Sequence, residues 1–306
     1  MKWFVARTIL VFLRGPRRAA PKSMLRAPRL APALSISQRR LLCSSSALAL
    51  NARSVAANGV QLHCVTSGSS GTPVLCMPGA LGTAMTDFEP QLTGLAAHHQ
   101  VVSFDPRGYG QSRPPDRDFP DGFYRRDADD GAALMAALGH SSYHVVGWSD
   151  GAIAAAILTA DQPAEVKSLV MFGGNAYFTE EDGVAFDKYR NIEESWSKRM
   201  LATHRPVYGD KLQPMWDACT DAWLRILSDK GGDVCMTEAK AIACPTYVMH
   251  GAKDPICLSD HPKWFHANIA GSRLHEFPDG KHNIHIKFAA EFNAMCLEFW
   301  REVDGQ

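Results

Sequence analysis

Read for its apolar and polar positions, the chain beyond residue 50 opens on two short strand-like runs, 54–57 and 60–66, joined by Asn58-Gly59. That dipeptide predicts an antiparallel hairpin, because the tight turn it forms needs a positive φ at both central residues. The runs at 74–77, 101–104, 143–148, 166–172 and 246–250 are continuously apolar and do not alternate. Continuous hydrophobicity over so few residues marks strands buried on both faces, hence a parallel sheet covered by helices. Helical spacing occupies 125–138, 152–160 and 284–300, and a further short strand is expected at 273–277. Strand and helix thus alternate beyond the hairpin, which predicts an α/β fold with a mostly parallel central sheet.

Residues 175–240 break this rhythm, being rich in Trp, Met and charge, helix-like and without a clear strand. They are expected to form a helical cap inserted into a core made of 54–174 and 241–306. Its aromatics Phe186, Tyr189, Trp196, Trp216 and Trp223 either hold the cap to the core or line a substrate pocket beneath it.

Charge changes the picture more than composition does. The chain has 306 residues with 32 basic and 32 acidic side chains, a formal net charge of zero. Ten of the basic residues lie before residue 44, where no Asp or Glu occurs, and the first acidic residue is Asp87. The rest keeps 22 basic against 32 acidic residues, a net of −10. An Arg-rich, acid-free leader with Ser and Ala is expected over residues 1–50, a mitochondrial transit peptide with Arg39-Arg40-Leu41-Leu42 near its processing end. A secretory signal on 3–13 is disfavoured because that run is short and Arg7 interrupts it; a disordered basic tail and a cytoplasmic protein are the remaining alternatives. The acidic remainder argues against a nucleic-acid partner, and no apolar run is long enough for stable membrane insertion. Eight cysteines without a C-x-x-C pattern read as reduced thiols, and twelve histidines without H-E-x-x-H spacing offer no metal site.

The chemistry is carried by Gly147-Trp148-Ser149-Asp150-Gly151, a G-x-S-x-G motif between an apolar strand and an Ala-rich helix. A strand–turn–helix setting exposes the serine on a sharp elbow, and the glycines allow the close backbone approach that such a turn demands. A serine hydroxyl becomes nucleophilic when a base takes its proton and a carboxylate orients that base. Asp254, after the strand at 246–250, and His282, in the loop after 273–277, supply these types in the order Ser, Asp, His. Asp279 is a rival acid but lies on the same loop as His282, and His285 is a rival base expected inside the following helix. The oxyanion of such a mechanism needs two backbone N–H donors. Asp150, next to the nucleophile, and Ala80, in the loop after 74–77, are expected to supply them, with Leu81 the alternative to Ala80.

Beyond the elbow, the run 105–120 (DPRGYGQSRPPDRDFP), Gly174-Asn175-Ala176-Tyr177, His250-Gly251-Ala252-Lys253-Asp254-Pro255 and Gly280-Lys281-His282-Asn283 resemble the biphenyl hydrolase-like proteins, or valacyclovir hydrolases, from about Val55 onward. The resemblance implies an α/β-hydrolase fold and a serine esterase for α-amino acid esters, with the catalytic serine, aspartate and histidine on Ser149, Asp254 and His282. It further implies that Asp150 binds the substrate's α-ammonium group. A carboxylate beside an oxyanion opposes the developing charge, which makes sense where the substrate brings its own cation. A small-molecule amino-acyl ester, no cofactor, no metal and a monomer are the corresponding expectations. The alternatives are a carbon–carbon bond hydrolase, another small-molecule serine esterase of the same fold, and a non-catalytic receptor built on it.

Overall fold

A computed structural model describes residues 49–306. The leader expected over 1–50 therefore lies almost wholly outside the described residues. From Asn51 the chain folds onto an eight-stranded sheet of order β1-β2-β4-β3-β5-β6-β7-β8. Strands β1 (Asn51–Ala57) and β2 (Val60–Ser67) form the hairpin around Asn58-Gly59, both at positive φ. The pairing of β2 with β4 (Val101–Phe104) is also antiparallel. Every later pairing is parallel, through β3 (Val74–Met77), β5 (Tyr143–Trp148), β6 (Val166–Phe172), β7 (Thr246–Gly251) and β8 (Arg273–Phe277).

Side chains alternate across a strand, so each buried strand feeds two cores. Val74 and Cys76 of β3, with Val170 and Phe172 of β6, pack under helix α1 (Ala84–Gly94) and the C-terminal helix α11 (Ala289–Asp304). Leu75, Met77, Leu169 and Met171 face the other way, against α2 (Phe123–Ala137) and α3 (Asp150–Asp161). This two-sided burial is the physical reason the strand sequences run apolar without alternation.

Between β6 and β7 the chain forms α4 (Glu180–Lys188), α5 (Ile192–Ser195), α6 (Lys198–Tyr208), a 3-10 turn at Gly209–Lys211, α7 (Leu212–Asp229) and α8 (Met236–Ala241). Helix α9 (Asp260–Asn268) follows β7, and α10 (Ile284–Lys287) follows β8. The aromatics of the segment mostly pack on one another. Trp196 meets Trp216 edge-on at 5.0 Å, Trp216 meets Trp223 at 5.2 Å, and Phe186 meets Trp223 at 4.9 Å. The Trp216 indole donates to the Tyr189 carbonyl at 2.9 Å.

Helical spacing alone did not mark α1 and α9. In α1 the pattern is interrupted by Pro90, and its start is set by the Thr83 hydroxyl, which accepts from the Thr86 N–H in a reciprocal cap. The span 284–300 is two helices, broken at Phe288 where φ is −115° and ψ 37°; its apolar spacing continues across the break and so does not mark it. The cysteines at 64, 76, 219, 235, 244, 257 and 296 are all free thiols. Among the described residues no helix is long and apolar enough to cross a membrane.

Candidate active site

Open parallel sheets carry their sites beyond the C-terminal ends of the strands, where the loops converge. Ser149 follows β5, Asp254 follows β7 and His282 follows β8. The elbow at Ser149 is strained, with φ 56° and ψ −126° on a residue that has a side chain, a conformation that costs about 1–3 kcal/mol. Its surroundings compel it. A Cβ on Gly147 would lie 2.5 Å from the Gly151 carbonyl oxygen, and one on Gly151 only 2.0 Å from that of Met77. The Ser149 N–H continues the sheet by donating to the Phe172 carbonyl at 3.0 Å.

The three side chains expected from the sequence meet. His282 Nε2 is 3.0 Å from Ser149 Oγ, and its Nδ1 is 2.8 Å from Asp254 Oδ2. The other Asp254 oxygen accepts the N–H groups of Ile256 at 2.9 Å and Cys257 at 3.0 Å, which fixes the carboxylate plane. The two rivals lie elsewhere. Asp279 is exposed and pairs with Lys253 at 2.6 Å. His285 sits in α10, fully buried among Phe88, Trp148 and Phe172, with Nε2 2.9 Å from the Asp87 carbonyl oxygen. Burial pushes its pKa down to about 3, so it stays neutral.

The turn Gly79–Gly82 runs alongside the nucleophile, close enough that a Cβ on Gly79 would lie 3.1 Å from Ser149 Cβ. The Gly82 N–H closes the turn on the Gly79 carbonyl at 3.0 Å, while the Gly79 N–H donates to Asp87 Oδ2 at 3.0 Å. Among the described residues the backbone N–H groups of Ala80, Leu81 and Asp150 meet no acceptor. The structure thus brings the Ala80–Leu81 turn and the Asp150 amide to the serine, and leaves both members of the Ala80/Leu81 pair as candidate donors.

A model of the alpha/beta hydrolase fold matches residues 72–289. The chain belongs to the alpha/beta hydrolase family. Within it, the serine hydrolase BPHL of Homo sapiens is 41% identical over 247 residues, 80% of this chain and 84% of that protein. The serine hydrolase BPHL of Mus musculus is 40% identical over 253 residues, 82% of this chain and 87% of that one. This alpha/beta hydrolase is accordingly an enzyme of the serine hydrolase class. A solved meta-cleavage product hydrolase, CumD, superposes with a TM-score of 0.67 at 20% identity over 82% of this chain and 98% of that one, a likeness of fold alone.

The electrostatics of this hydrolase's site follow from its partners. Burial opposes charge on His282, but the Asp254 carboxylate outweighs it and raises the imidazole pKa, with Asp150 and Asp87 adding to the effect. Burial likewise opposes the Asp254 carboxylate, yet His282 and the two N–H donors hold its pKa below the usual range. Asp150 is half-buried, and desolvation pushes its pKa up to about 7 despite the hydrogen bond it accepts from Tyr124 Oη at 2.9 Å. The nearby Arg117 is engaged by Asp127 through two parallel bonds of 2.7 Å each. Among the described residues Asp150 has no salt-bridge partner.

Sequence reasoning passed over Asp87, Tyr124 and Tyr208. Asp87 lies one turn into α1, buried at 2% exposure, where desolvation pushes its pKa up to about 7. A lone carboxylate in the first turn of a helix reads as an ordinary dipole partner. The only hint was position: Asp87 is the first acidic residue of the chain and follows the Gly79–Gly82 turn closely. Tyr124 and Tyr208 carry no motif, and only the tertiary fold aims their hydroxyls.

Proposed function

We propose that this serine hydrolase cleaves esters of α-amino acids through an acyl-enzyme on Ser149, with Asp254 and His282 completing the triad. The Asp150 carboxyl carries the proposal. It follows the nucleophile directly, is desolvated, and is held by Tyr124 without a cationic partner of its own. An ammonium group α to the scissile carbonyl supplies that missing cation, and a charge-assisted contact of about 1.5–3 kcal/mol gives roughly ten- to 150-fold preference over an uncharged acyl group.

In the reaction, His282 Nε2 takes the Ser149 proton as Oγ attacks the ester carbonyl, and Asp254 stabilises the imidazolium. The oxyanion is met by the Asp150 N–H and by Ala80, with Leu81 the alternative donor. Collapse expels the alcohol, which takes the proton back from His282. Water activated by the same imidazole then releases the amino acid and restores Ser149.

The test compares L-valine esters with matched N-acetyl-valine esters on wild type, Ser149→Ala and Asp150→Asn. The proposal expects loss of turnover in Ser149→Ala. It also expects a preference for the free amine that collapses in Asp150→Asn. Equal wild-type rates on both substrates would remove the ammonium site, and turnover surviving in Ser149→Ala would remove the acyl-enzyme.

We propose further that the segment 175–240 acts as a cap over this site, and that the Arg-rich, acid-free leader directs import into mitochondria. A fluorescent fusion of residues 1–50 that stays cytosolic would overturn the second of these.

A further inference from the structure

The oxyanion turn contains a strained residue. Leu81 stands at φ 58°, in the left-handed region that a side chain disfavours, and it is fully buried. Glycine is the usual occupant of such a turn position because it meets no steric penalty there. A leucine stays only where surrounding contacts over-determine the conformation, and here two contacts hold the turn from opposite ends. At its start the Gly79 N–H is anchored on Asp87 Oδ2 at 3.0 Å. At its end the Leu81 carbonyl accepts the hydroxyl of Tyr208 at 2.7 Å.

Tyr208 is the last residue of α6, so it reaches the turn from the segment between β6 and β7. Its hydroxyl also accepts the Gly110 N–H, at 3.4 Å, in the loop after β4. The ring is held independently of the hydroxyl: it meets Tyr109 edge-on at 6.3 Å and lies 5.4 Å from the Arg113 guanidinium. Arg113 in turn donates to the carbonyls of Gly110 at 2.8 Å and Val207 at 3.1 Å, fastening the end of α6 to the same loop. The hydroxyl is therefore not what seats the ring. Its strong bond goes to the one carbonyl whose direction sets the Leu81–Gly82 peptide.

We propose that Tyr208 is a positioning residue for catalysis: its hydroxyl fixes the Leu81 carbonyl and thereby aims the free N–H groups of the Ala80–Leu81 turn at the oxyanion. The inference rests on the proposed reaction at Ser149. It adds a dependence that the triad lacks, because the donors are aligned only while the end of α6 is seated on the turn. Formation of the oxyanion site and seating of the segment between β6 and β7 become one event.

The test is Tyr208→Phe, which removes the hydroxyl and keeps the ring. Two rates are read per folded protein: ester turnover on L-valine p-nitrophenyl ester, and labelling of Ser149 by a fluorophosphonate. In the labelling step Ser149 Oγ bonds to phosphorus, fluoride leaves, and His282 takes the serine proton. The phosphoryl oxygen occupies the oxyanion position whatever ester the enzyme prefers. The expected result is a fall in kcat and in labelling rate by about 10- to 100-fold, below the loss for deleting an oxyanion donor outright. KM should move less than about twofold, as for removal of a transition-state interaction, and Tm should fall by only a few degrees, because the buried Leu81 carbonyl loses its donor while the ring stays packed. An unchanged labelling rate overturns the inference, as does a loss of rate that follows only the loss of folded protein. Failure of wild type on the valine ester with normal, Tyr208-dependent labelling overturns the substrate assignment and leaves the positioning role standing.

Discussion

The indole of Trp148 donates to the backbone carbonyl of His282 at 2.9 Å, so the residue before the nucleophile holds the loop that carries the base. The ring planes of the two residues are tilted by 48° with centroids 5.4 Å apart. One side chain, next to Ser149 in sequence, thus contacts both the backbone and the ring of His282. A Trp148→Phe variant keeps the bulk and loses the bond. With a neutral hydrogen bond worth about 0.5–1.5 kcal/mol, kcat should fall by up to roughly tenfold with KM little changed. Steady-state kinetics on a single ester check this, and a change confined to KM would count against it.

The pH profile follows from the direction of the His282 shift. The base acts when neutral, and its pKa in the folded protein lies above the ordinary 6.5 because Asp254, together with the carboxylates of Asp150 and Asp87, outweighs burial. Activity is therefore low below that raised value and climbs as pH rises through it. Asp254→Asn removes the raising partner and leaves burial, so its residual acid limb should move to lower pH. Its kcat should drop by about 10⁴-fold, as for loss of the orienting carboxylate in other triads. The measurement is kcat against pH for both proteins, and an Asp254→Asn limb at or above the wild-type position would contradict the assignment.

Asp150 sets function against stability. Its folded pKa of about 7 lies above the ordinary 3.8, so between those values the folded chain holds a proton that the unfolded chain has lost. Stability then declines as pH rises through this window, and the deficit is complete above the folded pKa. Asp150→Asn keeps an acceptor for Tyr124 and carries no charge. It should raise Tm at pH 8 and do so less at pH 4, by about 2–4 °C for each kcal/mol regained. Thermal unfolding of both proteins at the two pH values tests the sign.

The Arg117–Asp127 pair is a buried brace beside the site. The Arg117 side chain is 1% exposed and that of Asp127 is 12% exposed. The guanidinium also stacks 4.6 Å from the Tyr109 ring centroid and 4.9 Å from that of Phe119. Removing one partner of a buried pair strands the other charge, at a typical cost of about 3–5 kcal/mol. Asp127→Ala should accordingly lower the urea midpoint strongly. A midpoint within error of wild type would show that the pair is compensated by solvent.

Much of the fold was legible because its strands are buried on both faces, and short continuous runs such as 74–77 and 166–172 mark strands covered above and below. Helix α1 was not legible, since Pro90 and a polar first turn break its periodicity, and its place is set by a Thr83 cap and a buried face. The break at Phe288 was invisible for the opposite reason: apolar spacing runs through it.

At the site, the G-x-S-x-G motif in its strand–turn–helix setting and the order Ser, Asp, His pointed to Ser149, Asp254 and His282 as candidates, and the structure brings the three together. The glycines around Ser149 are demanded by local backbone crowding, and Asp254 and His282 each follow a recognisable strand. Folding in three dimensions chose between His282 and His285, three residues apart, by turning one ring to Ser149 and burying the other against Phe88 and Phe172. It alone set Asp87 and Tyr208 on the two ends of the Gly79–Gly82 turn. Motifs record what a local turn requires of its own residues. Contacts between residues far apart in the chain, such as Tyr208 and Leu81, depend on how the loops converge above the sheet, and no local pattern encodes that convergence.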